Sequence, residues 1–500
     1  MEKSIIIIGA GISGLSAGCY GQMNGYRSSV FEMHDIPGGL CTAWQRKGFT
    51  FDISMHMLTA SVSGPLHKMW EELGVMKKFK FHFHDDISQI EGMGKKLSFC
   101  TDRKKLEEQM LAISPDDAEL IREFIKLIFG PDMMKAASLK PPEFINIFDR
   151  VRTMVAVLPM IGIFKKYGKI TVQEFAARFK DPFLREAVRI FIDSPGWPMP
   201  QFPMVILAGF IRGGVTGAGA PLGGSQQVVF QIADLYKQLG GEIHYKSRVT
   251  ELIIENNRTV GIRLNDGTEH RADSMIWAGD GHTLIFDILG GKYMNDKIRD
   301  MYENWIPVKP IVHVMLGVNR DLSAEPHRII FKPDQPINIA GREHQWMCMI
   351  HHCFDPSMAP AGKSAVEVWF DTEYDFWEEL ARDKERYKAE KQRIAEFSIA
   401  QLEKRWPGFT SQVETIDVPT PVTYKRYTGN WQGSPDGWYV TPANVSGMEP
   451  LRSLPGLEGL HMVGQWTAPF TGTIIAALSG RQIIQLMCRK EGKRFVTKAG

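Results

Sequence analysis

Residues 4–18 read "SIIIIGAGISGLSAG": four consecutive isoleucines run directly into a glycine-spaced turn and then into small residues that suit a helix. A β-branched run with no polar alternation reads as a strand buried on both faces, which is the signature of a parallel sheet covered by helices. Gly9-Ala10-Gly11-Ile12-Ser13-Gly14 fits G-x-G-x-x-G. In that pattern Gly9 makes the tight turn, Gly11 lets backbone approach a diphosphate, and Gly14 lets the helix pack closely on the strand. A helix starting near Ile12 would aim its free N–H groups and positive dipole end at the phosphates.

The fingerprint alone is weak, and its context strengthens it. A second strand, "SSVFE" at 28–32, ends in Glu32, 18 residues beyond Gly14. An acid near that spacing accepts hydrogen bonds from a ribose 2′-OH and disfavours a 2′-phosphate. The expected ligand is therefore FAD or NAD, not NADP.

Composition limits the alternatives. The chain has 500 residues, 44% of them hydrophobic, with a net charge of +2 and no long basic run. That is enough chain for two or three cores, and it lacks the electrostatic footprint of a nucleic-acid binder. Six dispersed cysteines do not form a disulfide framework, so a reducing cytoplasmic location is expected. No secretory leader and no transmembrane helix are expected, since "MVAVLPMIGIF" at 154–164 is short and interrupted by Pro159. No fixed-period repeat is present, and nothing in the sequence signals an oligomeric state.

Glu32 is followed by "MHDIPGGLCTAWQRKGFTFDISMHML", in which Gly38-Gly39 offers a second close backbone approach to a cofactor. Residues 223–280 carry a Gly-Gly pair, an amphipathic helix, a Gly-Gly cap and strands with an Asn265-Asp266-Gly267 turn. Residues 456–488 read as a short strand, Gly464, and a helix preceded by Thr471-Gly472-Thr473. Together these three stretches resemble the FAD-dependent amine oxidase superfamily, and "GFTFDISMHML" is most similar to its phytoene desaturase and retinol saturase branch. Leu40-Cys41 stands where that superfamily often has an arginine.

The resemblance implies FAD as cofactor and an α/β fold. A discontinuous Rossmann-like FAD domain with a β-meander (1–60, 220–300 and 425–500) would be interrupted by an α+β substrate domain with a helical subregion (61–219 and 301–424). It implies that Gly38, Gly39 and Leu40 continue the diphosphate and ribityl contacts and that Val249 meets the adenine through its backbone. Gly464 would lie at the flavin. The helix start at Thr471, Gly472, Thr473 and Ile474 would face the pyrimidine edge, where a positive dipole end favours negative charge.

Asp52, His56 and Trp466 are the candidates for residues near the reacting ring. The expected activity is hydride transfer at a carbon–carbon bond of an apolar isoprenoid, carotenoid-like or acyl small molecule, by desaturation, saturation or isomerisation. Twenty-five methionines suit such a pocket, although methionine is also ordinary core filler. An amine oxidase is the alternative, with Trp431, Tyr439 and Trp466 available for an aromatic cage; a flavin-binding protein without turnover is the second.

Three further stretches have competing readings. Residues 153–164, edged by Lys165-Lys166, read as a buried core helix in preference to a helix on a membrane surface. "GAGAPLG" at 217–223 reads as a pocket-lining loop and not a second dinucleotide site. In "CMIHHC" at 348–353, neighbouring histidines point to opposite strand faces, so no metal site is expected.

Overall fold

The computed structural model describes residues 2–54, 56–130, 137–209, 211, 217–445, 449–469 and 472–498. Ser4–Ile8 lies at the centre of a five-stranded parallel sheet in the order Leu460–Met462, Ser274–Trp277, Ser4–Ile8, Arg27–Phe31, Glu242–His244. Its four isoleucines are all buried. Ile5 and Ile7 face the helices Ile12–Met23, Gly224–Gln238 and Gly472–Lys490, whereas Ile6 and Ile8 face the opposite core. Burial on both faces explains the unbroken apolar run.

An antiparallel meander, Val249–Glu255, Arg258–Leu264 and Glu269–Arg271, covers that second face. This is a Rossmann-like α/β unit built from separated stretches of chain.

A seven-stranded sheet holds the remaining strands of the site. Its order is Val413–Asp417, Ile311–Val318, Ser364–Asp371, Met347–His351, Arg328–Phe331, Asp86–Gly92, Lys95–Cys100. Neighbours are antiparallel except Arg328–Phe331 with Asp86–Gly92. One face packs on Ala118–Ile128, Val172–Ala176, Pro182–Ile192 and Met204–Gly209, and the other on Lys384–Arg405.

Three local expectations change. Helical periodicity with repeated prolines over 60–215 predicts helices there, but residues 86–100 form a hairpin whose turn Met93-Gly94 has positive φ at both positions (53° and 70°), as a two-residue hairpin turn requires. The helices Ile147–Val157 and Ile161–Tyr167 leave most of their apolar side chains uncovered: Ile147 and Phe148 are 66% and 80% exposed, and Met154, Leu158, Ile161 and Phe164 are exposed with them, while Tyr167 and Ile163 pack on the core. In the 217–223 loop, Gly219 bridges to Leu58, and Ala220–Pro221 pairs with Phe81–His82. Those pairings use the loop as structural backbone, away from the cavity wall described below.

Candidate active site

One cavity of about 1040 Å³ runs from the glycine turn to the inner face of the seven-stranded sheet. It is at the upper end of the roughly 300–1,000 Å³ of common small-molecule sites, which leaves room for a cofactor and a second molecule.

At the first end, Gly9 has φ +105° and Gly14 sits so close beneath it that a Cβ there would stand 2.0 Å from the Gly9 carbonyl oxygen. Gly11 differs. It has φ −75°, and its nearest neighbour to a Cβ would be the Gly38 carbonyl oxygen at 4.0 Å, so this side of the turn is open. Gly38 donates its N–H to the Ala10 carbonyl (3.0 Å), which brings the Gly38-Gly39 turn alongside the first one. No side chain caps the Ile12–Met23 helix, so its first N–H groups remain available to a ligand. An open backbone cradle at an uncapped helix start fits a dinucleotide diphosphate.

Glu32 is buried and lines the same cavity. Its two oxygens accept from the backbone N–H of Ala10 (2.7 Å) and His34 (2.9 Å), which fixes the carboxyl against the turn and leaves further lone pairs for a sugar. Ile12, Ser13, Leu40, Val249, Gly464, Gly472, Thr473 and Ile474 line the cavity, whereas Gly14 acts only in packing. Gly464 has φ +98° and donates its N–H to Ser479 Oγ (2.9 Å). Thr471 lies outside the described residues.

His56 and Trp466 are on the cavity wall; Asp52 is not. Both Asp52 oxygens serve the start of the Gly224–Gln238 helix, accepting from the Ser225 N–H (2.5 Å) and Ser225 hydroxyl (2.6 Å), with the Ser54 N–H at 3.1 Å. Its proximity in sequence to His56 reflects a chain turn, because the carboxylate points under Gly224, not towards the cavity.

The far wall is polar in a way the sequence does not reveal. His352 Nε2 lies 2.7 Å from Glu367 Oε1, and the Trp369 indole N–H donates to Glu367 Oε2 at 2.7 Å. Against the burial that would raise it, the charge and hydrogen bond of His352 hold Glu367 down to about 2, while Glu367 raises His352 against its own burial. His313 stacks on Trp369 with ring centroids 5.2 Å apart, and Tyr424 hydroxyl lies 3.3 Å from its Nδ1. His56 packs against Trp369 at 4.7 Å. Burial lowers His56 to about 3 and His313 to about 4, so both are neutral at pH 7. His56 Nδ1 and His313 Nε2 are buried without a hydrogen-bond partner among the described residues.

His351 takes a different direction, with its Nε2 3.0 Å from the Glu325 carbonyl oxygen. Asp280, not among the candidates above, follows the Ser274–Trp277 strand in the string "AGD" and lines the cavity beside Gly279. It accepts from the N–H groups of Thr283 (2.7 Å) and Trp431 (2.8 Å), and burial pushes it up to about 6. The signal in the sequence is a strand followed at once by Ala278-Gly279 and an acid.

Of the residues available for an amine cage, Tyr439 and Trp466 line the cavity and Trp431 does not. Trp438 and Trp466 pack edge to face at 5.1 Å, and Trp431 packs on Trp466 at 5.9 Å without lining the cavity. Among the described residues, no helix is long and apolar enough to cross a membrane.

Comparison with known proteins agrees with this architecture. The family described as flavin-containing amine oxidoreductase matches residues 12–482. A chloroplastic prolycopene isomerase of Daucus carota is 26% identical, over 96% of this chain and 79% of the relative. A lycopene-forming phytoene desaturase of Pseudescherichia vulneris is 24% identical, over 97% and 99%. Among solved structures, an oxidoreductase from Methanosarcina mazei has TM-score 0.63 at 17% identity, covering 96% of this chain and 100% of its own. Cyclohexylamine oxidase from Brevibacterium oxydans has TM-score 0.59 at 16% identity, covering 98% and 100%. The chain belongs to the flavin-containing amine oxidoreductase family, and its cofactor is FAD.

Proposed function

We propose that the protein is an FAD-dependent oxidoreductase acting on carbon–carbon bonds of a long apolar small molecule, by desaturation, saturation or isomerisation. The observation that carries this reading is one continuous cavity, whose glycine cradle runs on into walls of Ile87, Phe191, Ile192, Trp197, Met199 and Phe202. The names of the carrot and bacterial relatives, a prolycopene isomerase and a phytoene desaturase, accord with it. The amine oxidase reading fits less well, because the candidate cage indoles fill one another's space.

In this reading the stretches 1–60, 220–300 and 425–500 hold the cofactor, and the intervening stretches hold substrate. Gly9, Gly11, Ile12 and Ser13 bind the diphosphate with Gly38, Gly39 and Leu40, and Glu32 takes the ribose hydroxyls. Val249 meets the adenine, while Gly464, Gly472, Thr473 and Ile474 border the ring. Bound FAD supplies two-electron exchange at that ring. The protein's part is to hold a carbon–carbon bond beside it and exclude water, with His56 and Trp466 forming the wall.

The exposed apolar face from Ile147 to Phe164 supports peripheral contact with a lipid surface by a cytoplasmic protein. Phe148 and its neighbours would enter the acyl boundary, with the exposed Arg150, Lys165 and Lys166 beside the headgroups. An apolar substrate would then reach the cavity from the membrane.

The deciding experiment is anaerobic incubation of the yellow holoprotein with cis-polyenes and partly saturated polyenes, followed by chromatography of the products. A changed double-bond pattern supports the proposal. Release of peroxide on amines, with polyenes untouched, would favour the amine oxidase instead.

A further inference from the structure

We infer that the substrate carries a carboxylate at one end, and that Arg328 on the inner face of the seven-stranded sheet reads it; this rests on the apolar-substrate reading above. Arg328 lines the cavity together with Ile87, Phe191, Trp197 and Ile350. Its Nη2 donates to Ser194 Oγ at 2.9 Å and its Nε to Cys348 Sγ at 3.5 Å. Nη1 has no hydrogen bond to the described protein and is not sealed inside it.

Other arginines around this sheet find a carboxylate: Arg189 pairs with Glu186 and Asp193, Arg342 with Asp371, and Arg405 with Glu91. Among the described residues no acid lies within ion-pair distance of Arg328. The nearest anion along its cross-strand row is Glu367, reached only across Ile350, two strand spacings or roughly 10 Å away. Both Glu367 oxygens are already taken by His352 and Trp369.

A guanidinium in an apolar wall stays solvated while the cavity holds water. A tight-fitting hydrocarbon would strip that water and leave the charge dry, which is strongly unfavourable. An anionic end group would replace it. The charge balance selects a monoanion, since the adjoining His56 and His327 are held neutral by burial and leave one positive charge on this wall. A carboxylate matches the planar guanidinium fork, whereas a diphosphate carries more charge than this wall offers.

The test is calorimetric titration of the FAD-loaded protein with oleate below its micellar concentration, methyl oleate, octadecene and farnesyl diphosphate. Oleate is expected to bind about tenfold or more tighter than methyl oleate or octadecene, in line with a charge-assisted pair. In R328Q the acid and ester should bind alike, and in R328K the gap should narrow. Equal binding of acid and ester by the unaltered protein overturns the inference even if R328Q fails to fold. So does an acid preference that survives in R328Q, or a diphosphate that outcompetes oleate. If octadecene binds and oleate has no advantage, the apolar-substrate reading stands alone; if no apolar ligand binds, both fall.

Discussion

His352 and Glu367 form a 2.7 Å ion pair in which both side chains are withdrawn from solvent, directly behind the Trp369 wall of the cavity. Removing one partner leaves the other buried and uncompensated, so Glu367→Ala should cost about 3–5 kcal/mol of stability. Replacing both, with Glu367→Leu and His352→Phe, should recover part of that loss. Urea denaturation of the single and double variants measures the coupling; independent, additive losses would show that the pair contributes little.

The same wall sets a pH dependence. Glu367 is depressed from 4.5 to about 2, so its contribution is present above pH 4.5 and is lost as pH falls towards 2. His352 is raised, so its contribution is complete below pH 6.5 and is lost as pH rises through its folded value. His56 and His313 have the opposite sign to His352. Their folded values of about 3 and about 4 mean the unfolded chain binds protons first, and stability falls as pH drops below 6.5. Each contributes a slope of up to about 1.4 kcal/mol per pH unit. Denaturation midpoints between pH 6.5 and 4.5 should therefore fall with acid, and His313→Phe should flatten the slope by about one proton's worth.

Gly11 and Gly14 separate binding from folding. A Cβ on Gly14 would meet the Gly9 carbonyl oxygen at 2.0 Å, so Gly14→Ala should impair the fold itself. Gly11 has a φ that alanine adopts freely and open space where its methyl would go. Gly11→Ala should leave the apoprotein's melting temperature nearly unchanged and abolish FAD retention. Glu32→Ala should weaken retention by roughly 1.5–3 kcal/mol, the worth of hydrogen bonds to a charged group. Flavin absorbance after gel filtration, beside a melt of the apoprotein, checks all three.

The glycine cradle is legible in the sequence because strand, turn, helix and Glu32 are local and each residue's use is steric. The far wall is not. His313 and Trp369 of that wall share one cross-strand row with Cys348 and Ile330, drawn from four separate strands. Ile311–Val318 and Ser364–Asp371 are buried on both faces, so neither strand shows the alternation that would mark which side chains point inward. Asp52 misled for the converse reason: its sequence neighbours line the cavity, yet its hydrogen bonds belong to a helix 173 positions later. The 147–164 stretch has the apolar content of a core helix, and composition alone does not separate a core face from one left uncovered.

That uncovered face yields the last expectation. Ile147, Phe148 and Ile161 are 66%, 80% and 56% exposed, so replacing them with serine removes little protein packing. Ile147→Ser, Phe148→Ser and Ile161→Ser combined should leave the melting temperature and flavin content within error of the parent protein. If this face meets a lipid surface, the parent should cosediment with vesicles containing anionic lipid and the triple variant should not, because burial of these side chains in the acyl boundary drives the contact. Salt should weaken the parent's binding only in part, since Lys165 and Lys166 supply the screened share and the apolar side chains the rest. Equal cosedimentation of parent and variant would place the lipid contact elsewhere on the molecule, and absence of cosedimentation by both would remove the membrane from this protein's function.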